Sequence, residues 1–198
     1  MAHKSTYKTL FKRRRSGKTN YVKRVSMLSS KNLRLVVRKS SALIRCQVVA
    51  YETKGDQTIA SAVSSELTKW GWNANPKNLP SAYLTGLLLG KRAVKANVKK
   101  VVVDIGLHTA MHKGRLFAAI KGAIDAGLTV PVSETVLPDA NRVAGKHVEA
   151  FAQKPSAKDP HQFDKVRKQG FDPARTSAMF AQAKQAIEQD PFKGTKTK

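Results

Sequence analysis

The sequence predicts an α/β fold. We expect a mixed sheet, an antiparallel meander plus a parallel central strand, covered by helices, with a basic N-terminal arm and a helical C-terminal extension. Residues 33–65 alternate between apolar and polar side chains in three short runs, which predicts three consecutive strands. Two amphipathic patterns then flank a mostly apolar run at residues 101–106, which is typical of a buried parallel strand between helices.

The meander is predicted from period-two alternation. Three apolar residues of the first run, Leu33, Leu35 and Val37, alternate with Arg34, Val36 and Arg38. Residues 42–52 form the second run, with Ile44, Cys46, Val48 and Ala50 on one face. The residues 54–56 (Lys-Gly-Asp) indicate a hairpin turn, and residues 58–65 are the third strand.

The helices are predicted from caps and apolar stripes. Asn78 and Pro80 begin the first helix, as a cap followed by proline in the first turn. Its predicted apolar stripe is Leu84, Leu87, Leu88 and Val94, with Lys91, Arg92 and Lys95 on the remaining surface. Residues 114–126 form the second helix, which Gly127 ends, and residues 128–132 form a short last strand. Pro131 cannot donate a ladder hydrogen bond, which indicates either an edge position or the exit of that strand.

Three regions follow from these patterns: a basic arm at residues 1–31, an α/β core at residues 32–133, and a mostly helical extension at residues 134–198. In the extension, Asp139 begins a helix that runs through Phe151 and stops at Pro155. The dipeptide at 172–173 (Asp-Pro) begins a second helix, which buries Met179, Ala183, Ala186 and Ile187. Residues 154–170 are polar and expected to be irregular.

The charge is strongly positive and unevenly distributed. The chain has 37 Lys and Arg against 13 Asp and Glu, a net charge of +24. Residues 1–51 contain 14 of those basic residues and no acidic one. Such a block favours a polyanionic partner, nucleic acid first and a membrane surface second. No apolar run is long enough to span a bilayer, and the single cysteine, Cys46, excludes an internal disulfide framework.

Two surfaces are candidates for RNA contact. In the arm, aromatic residues are interleaved with the cations, which provides stacking faces between charges; Tyr7, Phe11 and Tyr21 are these aromatics. The alternative is a solvated tail that packs its aromatics on its own domain. On the sheet, Arg34, Arg38, Arg45 and Gln47 share the polar face with no carboxylate between them in the sequence, which favours an RNA face over an ordinary solvated one.

A third candidate precedes the second core helix. His112, Lys113 and Arg115 flank Gly114 at a helix start, where free backbone N–H groups favour phosphate. The alternative is a structural loop with an ordinary glycine. The predicted RNA-binding residues are then Lys12, Arg13, Arg14, Arg15, Lys18, Tyr21, Lys23, Arg24, Arg34, Arg38, Arg45, Gln47, His112, Lys113 and Arg115.

Catalysis is not expected. Asp104 in a predicted central strand resembles the carboxylate of a metal-dependent nuclease, but such sites need several converging carboxylates, and the core has few. Cys46 lies in an apolar strand, where a thiol is usually inert. A metal site at His108 and His112 lacks a third ligand nearby. We therefore expect no enzyme activity, no cofactor and no metal; the alternatives are a nuclease and a general nucleic-acid-binding protein.

Several motifs resemble one known family. The stretch at 12–24 (KRRRSGKTNYVKR), followed by 33–40 (LRLVVRKS), resembles the archaeal and eukaryotic branch of the universal 5S-rRNA-binding family, number eighteen of the large ribosomal subunit. The segments 87–93 (LLLGKRA), 101–106 (VVVDIG) and 112–115 (HKGR) are similar to the family core. Segments 143–148 (VAGKHV) and 163–167 (FDKVR) are similar to its archaeal extension.

The resemblance implies a structural role in the large ribosomal subunit, in the cytoplasm. Members bind 5S rRNA through the arm and one sheet face, and place it in the central protuberance. The partners implied are 5S rRNA, 23S rRNA, the other universal 5S-binding large-subunit protein, and small archaeal ribosomal proteins on the extension, with no membrane and no homo-oligomer. The length favours an archaeal chain over the longer eukaryotic relative. The segment 107–111 (LHTAM) departs from the often aromatic bacterial loop, so its contact is left open.

Overall fold

The computed structural model describes residues 8–153, 163, 167 and 170–193. It confirms the α/β class, with a four-stranded mixed sheet in the order β3-β2-β1-β4. The strands are β1 (Leu33–Lys39), β2 (Ile44–Ala50), β3 (Gln57–Val63) and β4 (Val101–Asp104). Strands β1, β2 and β3 form the predicted antiparallel meander, and β4 pairs with β1 in parallel.

Two of the helices pack on one face of this sheet, and others lie before and after the core along the chain. Two short ones precede the sheet, and two long ones flank β4. The α-helices of the described residues are α1 (Lys12–Arg15), α2 (Tyr21–Ser29), α3 (Leu79–Lys95), α4 (Arg115–Asp125), α5 (Ala140–Val143), α6 (Lys146–Gln153) and α7 (Thr176–Gln189). Three 3₁₀ turns, Ser64–Trp70, Glu134–Val136 and Pro173–Arg175, connect them.

The meander alternates as predicted and buries one face against the helices. Leu35 pairs with Val48 and Val37 with Cys46, and none of the four is more than 1% exposed. Burial raises the pKa of the Cys46 thiol to about 12, so thiolate is scarce at neutral pH and the cysteine is inert. The opposite face carries Arg34, Val36 and Arg38 and is the one that concerns function.

The prediction that the strand at residues 101–106 lies at the centre of the sheet is wrong. Strand β4 ends the sheet beside β1. The predicted last strand, residues 128–132, is reduced to one isolated parallel bridge between Lys100 and Thr129. Pro131 has no N–H to donate, so the ladder cannot continue past this bridge. Val101 is nevertheless fully buried in the main core, whereas Val102 and Val103 are only half-buried.

Helix α3 begins as predicted but is buried on nearly all sides. The Asn78 side chain accepts a hydrogen bond from the Ser81 N–H, with proline in the first turn. The predicted stripe is wrong at two positions: Val94 is 42% exposed, whereas Arg92 is only 9% exposed. Arg92 is buried because it pairs with Glu66 and donates to the Ser61 carbonyl, which satisfies its charge inside the fold. Periodicity alone cannot identify such a partner.

Helices α3 and α4 contact each other backbone to backbone. A Cβ atom at Gly122 would overlap the Tyr83 carbonyl oxygen and lie 2.8 Å from the Leu87 nitrogen. A Cβ atom at Gly86 would overlap the Ala119 carbonyl in the same way. These glycines therefore set the distance between the two helices that support the sheet.

The N-terminal segment, defined as residues 8–31, contains α1 and α2 and has no fully buried residue. The Asn20 side chain caps α2 by accepting from the Lys23 N–H, and neither helix has a buried residue. The extension, in contrast, joins the main core: Phe171 and Phe180 meet Trp72 edge-on, at ring-centroid distances of 6.1 and 6.4 Å. The predicted boundaries at residues 31 and 133 stay predictions.

The extension differs from its prediction in detail. The helix expected from Asp139 through Phe151 is split into α5 and α6, because Gly145 adopts a left-handed φ of 84°. Asp172 caps the turn before α7, as predicted, by accepting from the Ala174 N–H. Helix α7 buries Phe180, which the prediction missed, along with Ala183 and Ile187, while Met179 and Ala186 are only partly buried. Tyr7, Pro155 and most of residues 154–170 lie outside the described residues.

Substitution of Gly122 by alanine tests the contact between α3 and α4. The new methyl group overlaps backbone atoms that cannot rotate away, so overpacking exceeds the gain in helix propensity and the free energy of unfolding falls by about 2 kcal/mol. Chemical denaturation measures this change. Val94→Ala, on the exposed side of α3, is the control and changes stability by less than about 0.5 kcal/mol. Equal stability of Gly122→Ala and the parent chain would contradict the packing described.

Candidate nucleic-acid interface

The sheet face opposite α3 and α4 forms a cleft with the N-terminal segment. On this face Arg34 pairs with Val49, Val36 with Gln47, and Arg38 with Arg45. The cleft has a volume of about 660 Å³. Its charged lining residues come from both sides; they are Arg13, Lys18, Lys23, Arg24, Arg34, Arg38, Asp56 and Asp104. We call it the arm cleft.

The predicted residues of the arm are displayed on the surface. Helix α1 is one turn of four consecutive cations, all exposed, and Lys18 is exposed as well. The Arg13 Nε donates to the Thr19 hydroxyl at 2.9 Å, which closes the loop between α1 and α2. In α2, Lys23 is exposed, while Tyr21 and Arg24 are half-buried. The Tyr21 ring contacts Phe11, at 5.2 Å between centroids, so these two aromatics pack on each other.

An alternating chain of charges crosses the arm cleft. The Asp56 carboxylate accepts from Arg24 at 2.9 Å and from Arg34 at 2.6 Å. The Asp104 carboxylate accepts from Arg34 at 3.2 Å and from Arg38 at 2.8 Å. These five side chains link α2, the hairpin turn between β2 and β3, β1 and β4. We call them the arginine–aspartate chain.

Burial differs sharply along this chain of charges. The Arg34 side chain is 3% exposed and that of Asp104 is 7% exposed, whereas that of Arg38 is 40% exposed. A buried charge is tolerated only when it is paired and hydrogen-bonded. Arg34 therefore serves to hold the two aspartates, and Arg38 and Arg24 are the members of the chain that face the cleft opening.

No carboxylate separates Arg34 from Gln47 in the sequence, but the folded chain brings two carboxylates to this polar face. Asp56 and Asp104 are distant from β1 in sequence, but the fold brings both to it. Asp104 is also fully engaged: besides the two arginines, its Oδ1 accepts from the Gly106 N–H at 2.8 Å. Asp104 is a structural carboxylate with no second carboxylate in contact among the described residues, so the arrangement required for a two-metal nuclease is missing there.

Two further predicted residues lie on the same face. Arg45 is exposed directly across from Arg38, and like charges in opposed positions destabilise a strand pair. Asp104 relieves Arg38, but no ion-pair partner of Arg45 lies among the described residues. Gln47 is half-buried and lines the arm cleft. A bound anion would offset the charge that these strands collect.

The element at residues 112–115 lies elsewhere. His112 is exposed, and Lys113 pairs with Asp139 at 3.3 Å. Arg115 donates to the Lys77 carbonyl at 3.1 Å. Gly114 occupies the N-cap position of α4, where it has no side chain to accept a hydrogen bond. Lys113 and Arg115 line a second cleft instead of the arm cleft, so the structure does not bring all fifteen predicted residues together.

His108 fixes the loop that separates the two clefts. Its Nε2 accepts from the Lys39 N–H at 3.3 Å, which requires the neutral ring. Burial, and then the charges of Lys39 and Arg38, lower the pKa of His108, which favours that neutral form. His108 therefore acts as a structural acceptor at the end of β1.

Sequence reasoning missed the residues whose role depends on the tertiary fold. Asp56 was assigned only to a turn, although it pairs with two arginines. The second cleft is also lined by four residues that were assigned to no site: Lys39, Lys77, Arg142 and His147. Neither a turn aspartate nor an isolated basic residue carries a local signal of its tertiary contacts. No cluster of three or more potential metal ligands occurs among the described residues, and none of the described helices is long and apolar enough to cross a membrane.

Comparisons with known proteins agree with the resemblance. A family model described as ribosomal large subunit proteins 60S L5 and 50S L18 matches residues 5–100. The chain is 43% identical over 182 residues to the large ribosomal subunit protein uL18 of Korarchaeum cryptofilum, covering 91% of this chain and 93% of that protein. It is 40% identical to the uL18 of Methanothermobacter thermautotrophicus, covering 96% and 100%, and 43% identical to that of Thermofilum pendens, covering 96% and 98%.

The match runs through nearly the whole length of each archaeal relative. These relatives are structural proteins of the ribosome, which confirms the expectation that the chain is not an enzyme. Large-subunit ribosomal proteins work in the cytoplasm, as expected for this chain. The chain therefore belongs to the uL18 family of archaeal large ribosomal subunit proteins and is a structural constituent of that subunit.

Proposed function

We propose that the chain binds 5S rRNA, holds it in the central protuberance and attaches it to 23S rRNA. The N-terminal segment and the open sheet face grip the 5S rRNA through the predicted arm and sheet residues. The other universal 5S-binding protein and small archaeal ribosomal proteins on the extension are the proposed protein neighbours.

The observation that carries the proposal is the exposed, unneutralised charge of the N-terminal segment. Residues 8–31 contain nine Lys and Arg and no Asp or Glu. Eight of the nine are exposed, and Arg24 is the one with a carboxylate partner among the described residues. RNA phosphates neutralise such cations and release condensed counterions, which drives association.

The geometry favours recognition of RNA shape over a base code. Helix α1 displays four cations within one turn, while the sheet offers a rigid surface beside it. The arginine–aspartate chain contains three arginines and two aspartates, so one positive charge is left over for the RNA. Asp104 holds Arg38 in a fixed position before RNA arrives, which lowers the entropy lost on binding.

Arg34 acts differently from the other predicted contact residues. Its side chain is almost fully buried and shared between Asp56 and Asp104. We place it as a positioning residue that orients Arg24 and Arg38 through the aspartates they share. The exposed residues of the arm then make the phosphate contacts.

Charge reversal in α1 tests the proposed grip. The double substitution Arg14→Glu and Arg15→Glu removes exposed phosphate contacts, so 5S rRNA affinity falls by about tenfold or more, and the slope of log affinity against log salt becomes shallower by about 1–2. Filter binding between about 50 and 300 mM salt measures both quantities, because phosphate contacts weaken over this range.

The matched control for this test is Lys99→Glu with Lys100→Glu. Both lysines are exposed, precede β4 at the opposite end from Asp104, and line neither cleft. This control changes the total charge equally but leaves the salt slope unchanged. If both double variants weaken binding alike, only net charge matters, and the arm is not the site.

Substitution of Asp104 by asparagine tests the supporting role of the arginine–aspartate chain. The change keeps the shape but removes the charge that pairs buried Arg34, so the free energy of unfolding falls by on the order of 3 kcal/mol. Thermal or chemical unfolding measures it. The control is Asp139→Asn, whose pair with Lys113 is exposed and contributes less than about 1 kcal/mol. Parent-like stability of Asp104→Asn would show that the sheet face does not depend on this carboxylate.

A further inference from the structure

A second basic cleft lies on the side of the molecule where the extension meets the core. Its volume is about 440 Å³. The end of β1, the loop before α3, the start of α4, and helices α5 and α6 all contribute to its wall. Its cationic or titratable side chains are Lys39, Lys77, Lys113, Arg115, Arg142 and His147. We call it the extension cleft.

The charge of the extension cleft is poorly compensated. No Asp or Glu lines it among the residues that the structure describes. The Lys113–Asp139 pair is long, at 3.3 Å, and its side chains are 49% and 69% exposed, so solvent screens it strongly. Burial, and then the nearby charge of Arg142, lower the pKa of His147, so the neutral imidazole is favoured there. Five permanent cations around one cleft repel one another unless an anion binds.

The extension cleft is separate from the arm cleft. The two share no lining residue, and no residue of the N-terminal segment reaches the extension cleft. The loop after β4 divides them, with residues 105–107 facing the arm cleft and Thr109 and Met111 facing the extension cleft. The His108–Lys39 hydrogen bond fixes this loop to β1. One ligand on the arm cleft therefore leaves the extension cleft open to another.

We propose that the extension cleft binds the phosphate backbone of a second RNA segment, part of 23S rRNA, distinct from the RNA held by the N-terminal segment. The cations come from four parts of the chain and surround an open groove, which suits a string of phosphates better than one small anion. Asn75, Asn78 and Thr109 add uncharged hydrogen-bonding groups between them. The inference rests on the proposed function and specifies which surface serves the second RNA.

The test compares three double variants of the full chain. Lys77→Glu with Arg142→Glu alters the extension cleft, at two exposed positions whose side chains make no described contact needed for folding. Arg14→Glu with Arg15→Glu alters the arm, and Lys99→Glu with Lys100→Glu is the control of equal charge change. For each protein, affinity is measured for labelled 5S rRNA, for 23S rRNA, and for 23S rRNA after saturation with 5S rRNA. Melting temperatures verify that all variants fold.

The expected result is a separation of the two RNA affinities. The extension-cleft variant keeps its 5S rRNA affinity within about twofold but loses about tenfold or more in affinity for 23S rRNA, with or without 5S rRNA. The arm variant loses 5S rRNA affinity, and the control loses neither. A second extension-cleft variant, Lys77→Gln with Arg142→Gln, shows the same direction with a smaller loss, which separates lost attraction from new repulsion.

Other outcomes overturn the inference. Equal loss of 5S rRNA affinity in the arm and extension-cleft variants means that one RNA occupies both clefts. Unchanged 23S rRNA affinity in the extension-cleft variants means that the cleft takes another occupant, such as an acidic protein segment, or none. If the parent chain shows no preference for 5S rRNA, the proposed function fails, while the 23S rRNA measurement still decides the inference.

Discussion

The sheet face that we assign to RNA depends on one buried carboxylate. Asp104, at the end of β4, accepts from Arg34, Arg38 and the Gly106 backbone, and Arg34 in turn reaches Asp56. A charge this deeply buried is stable only with complete pairing, so the two arginines of β1 and the end of β4 are held together. Through Asp56 the same chain of ion pairs reaches Arg24 of α2. The position of the N-terminal segment over the sheet is thus tied to the sheet's own interior.

This constraint divides the positive charge of the chain into two kinds. Arg34 and Arg92 are buried and ion-paired with carboxylates within the fold, so they contribute to structure. The cations of α1 are exposed and concentrated in one turn, and those of the extension cleft surround a groove that no described carboxylate lines. A structural protein of the large subunit requires both kinds: the first makes a rigid surface without RNA, and the second leaves charge for the phosphates. The number of arginines does not show which of them belong to the buried kind and which to the exposed kind; their partners in the folded chain do.

Local patterns predicted the fold well, and long-range contacts account for what was missed. Alternation identified β1 to β3, and Asn78, Gly127 and Asp172 marked helix ends, because strand periodicity and caps are properties of neighbouring residues. The position of β4 at the edge was wrong, since sheet order depends on which strands meet in space. Arg34 and Arg92 were assigned to polar surfaces because their acidic partners are distant in sequence. Asp104 lies 70 positions from Arg34, and Glu66 lies 26 positions from Arg92. The extension cleft carried no local signal at all, because its cations come from segments that only the folded chain brings together.

The most direct test of the central claim is ultraviolet cross-linking of the protein to RNA in intact large subunits, followed by mapping of the cross-linked peptides and nucleotides. Our account predicts that peptides from residues 8–31 and from the open face of β1 and β2 are joined to 5S rRNA. It is contradicted if those peptides remain free of RNA in the assembled subunit while other parts of the chain carry the cross-links.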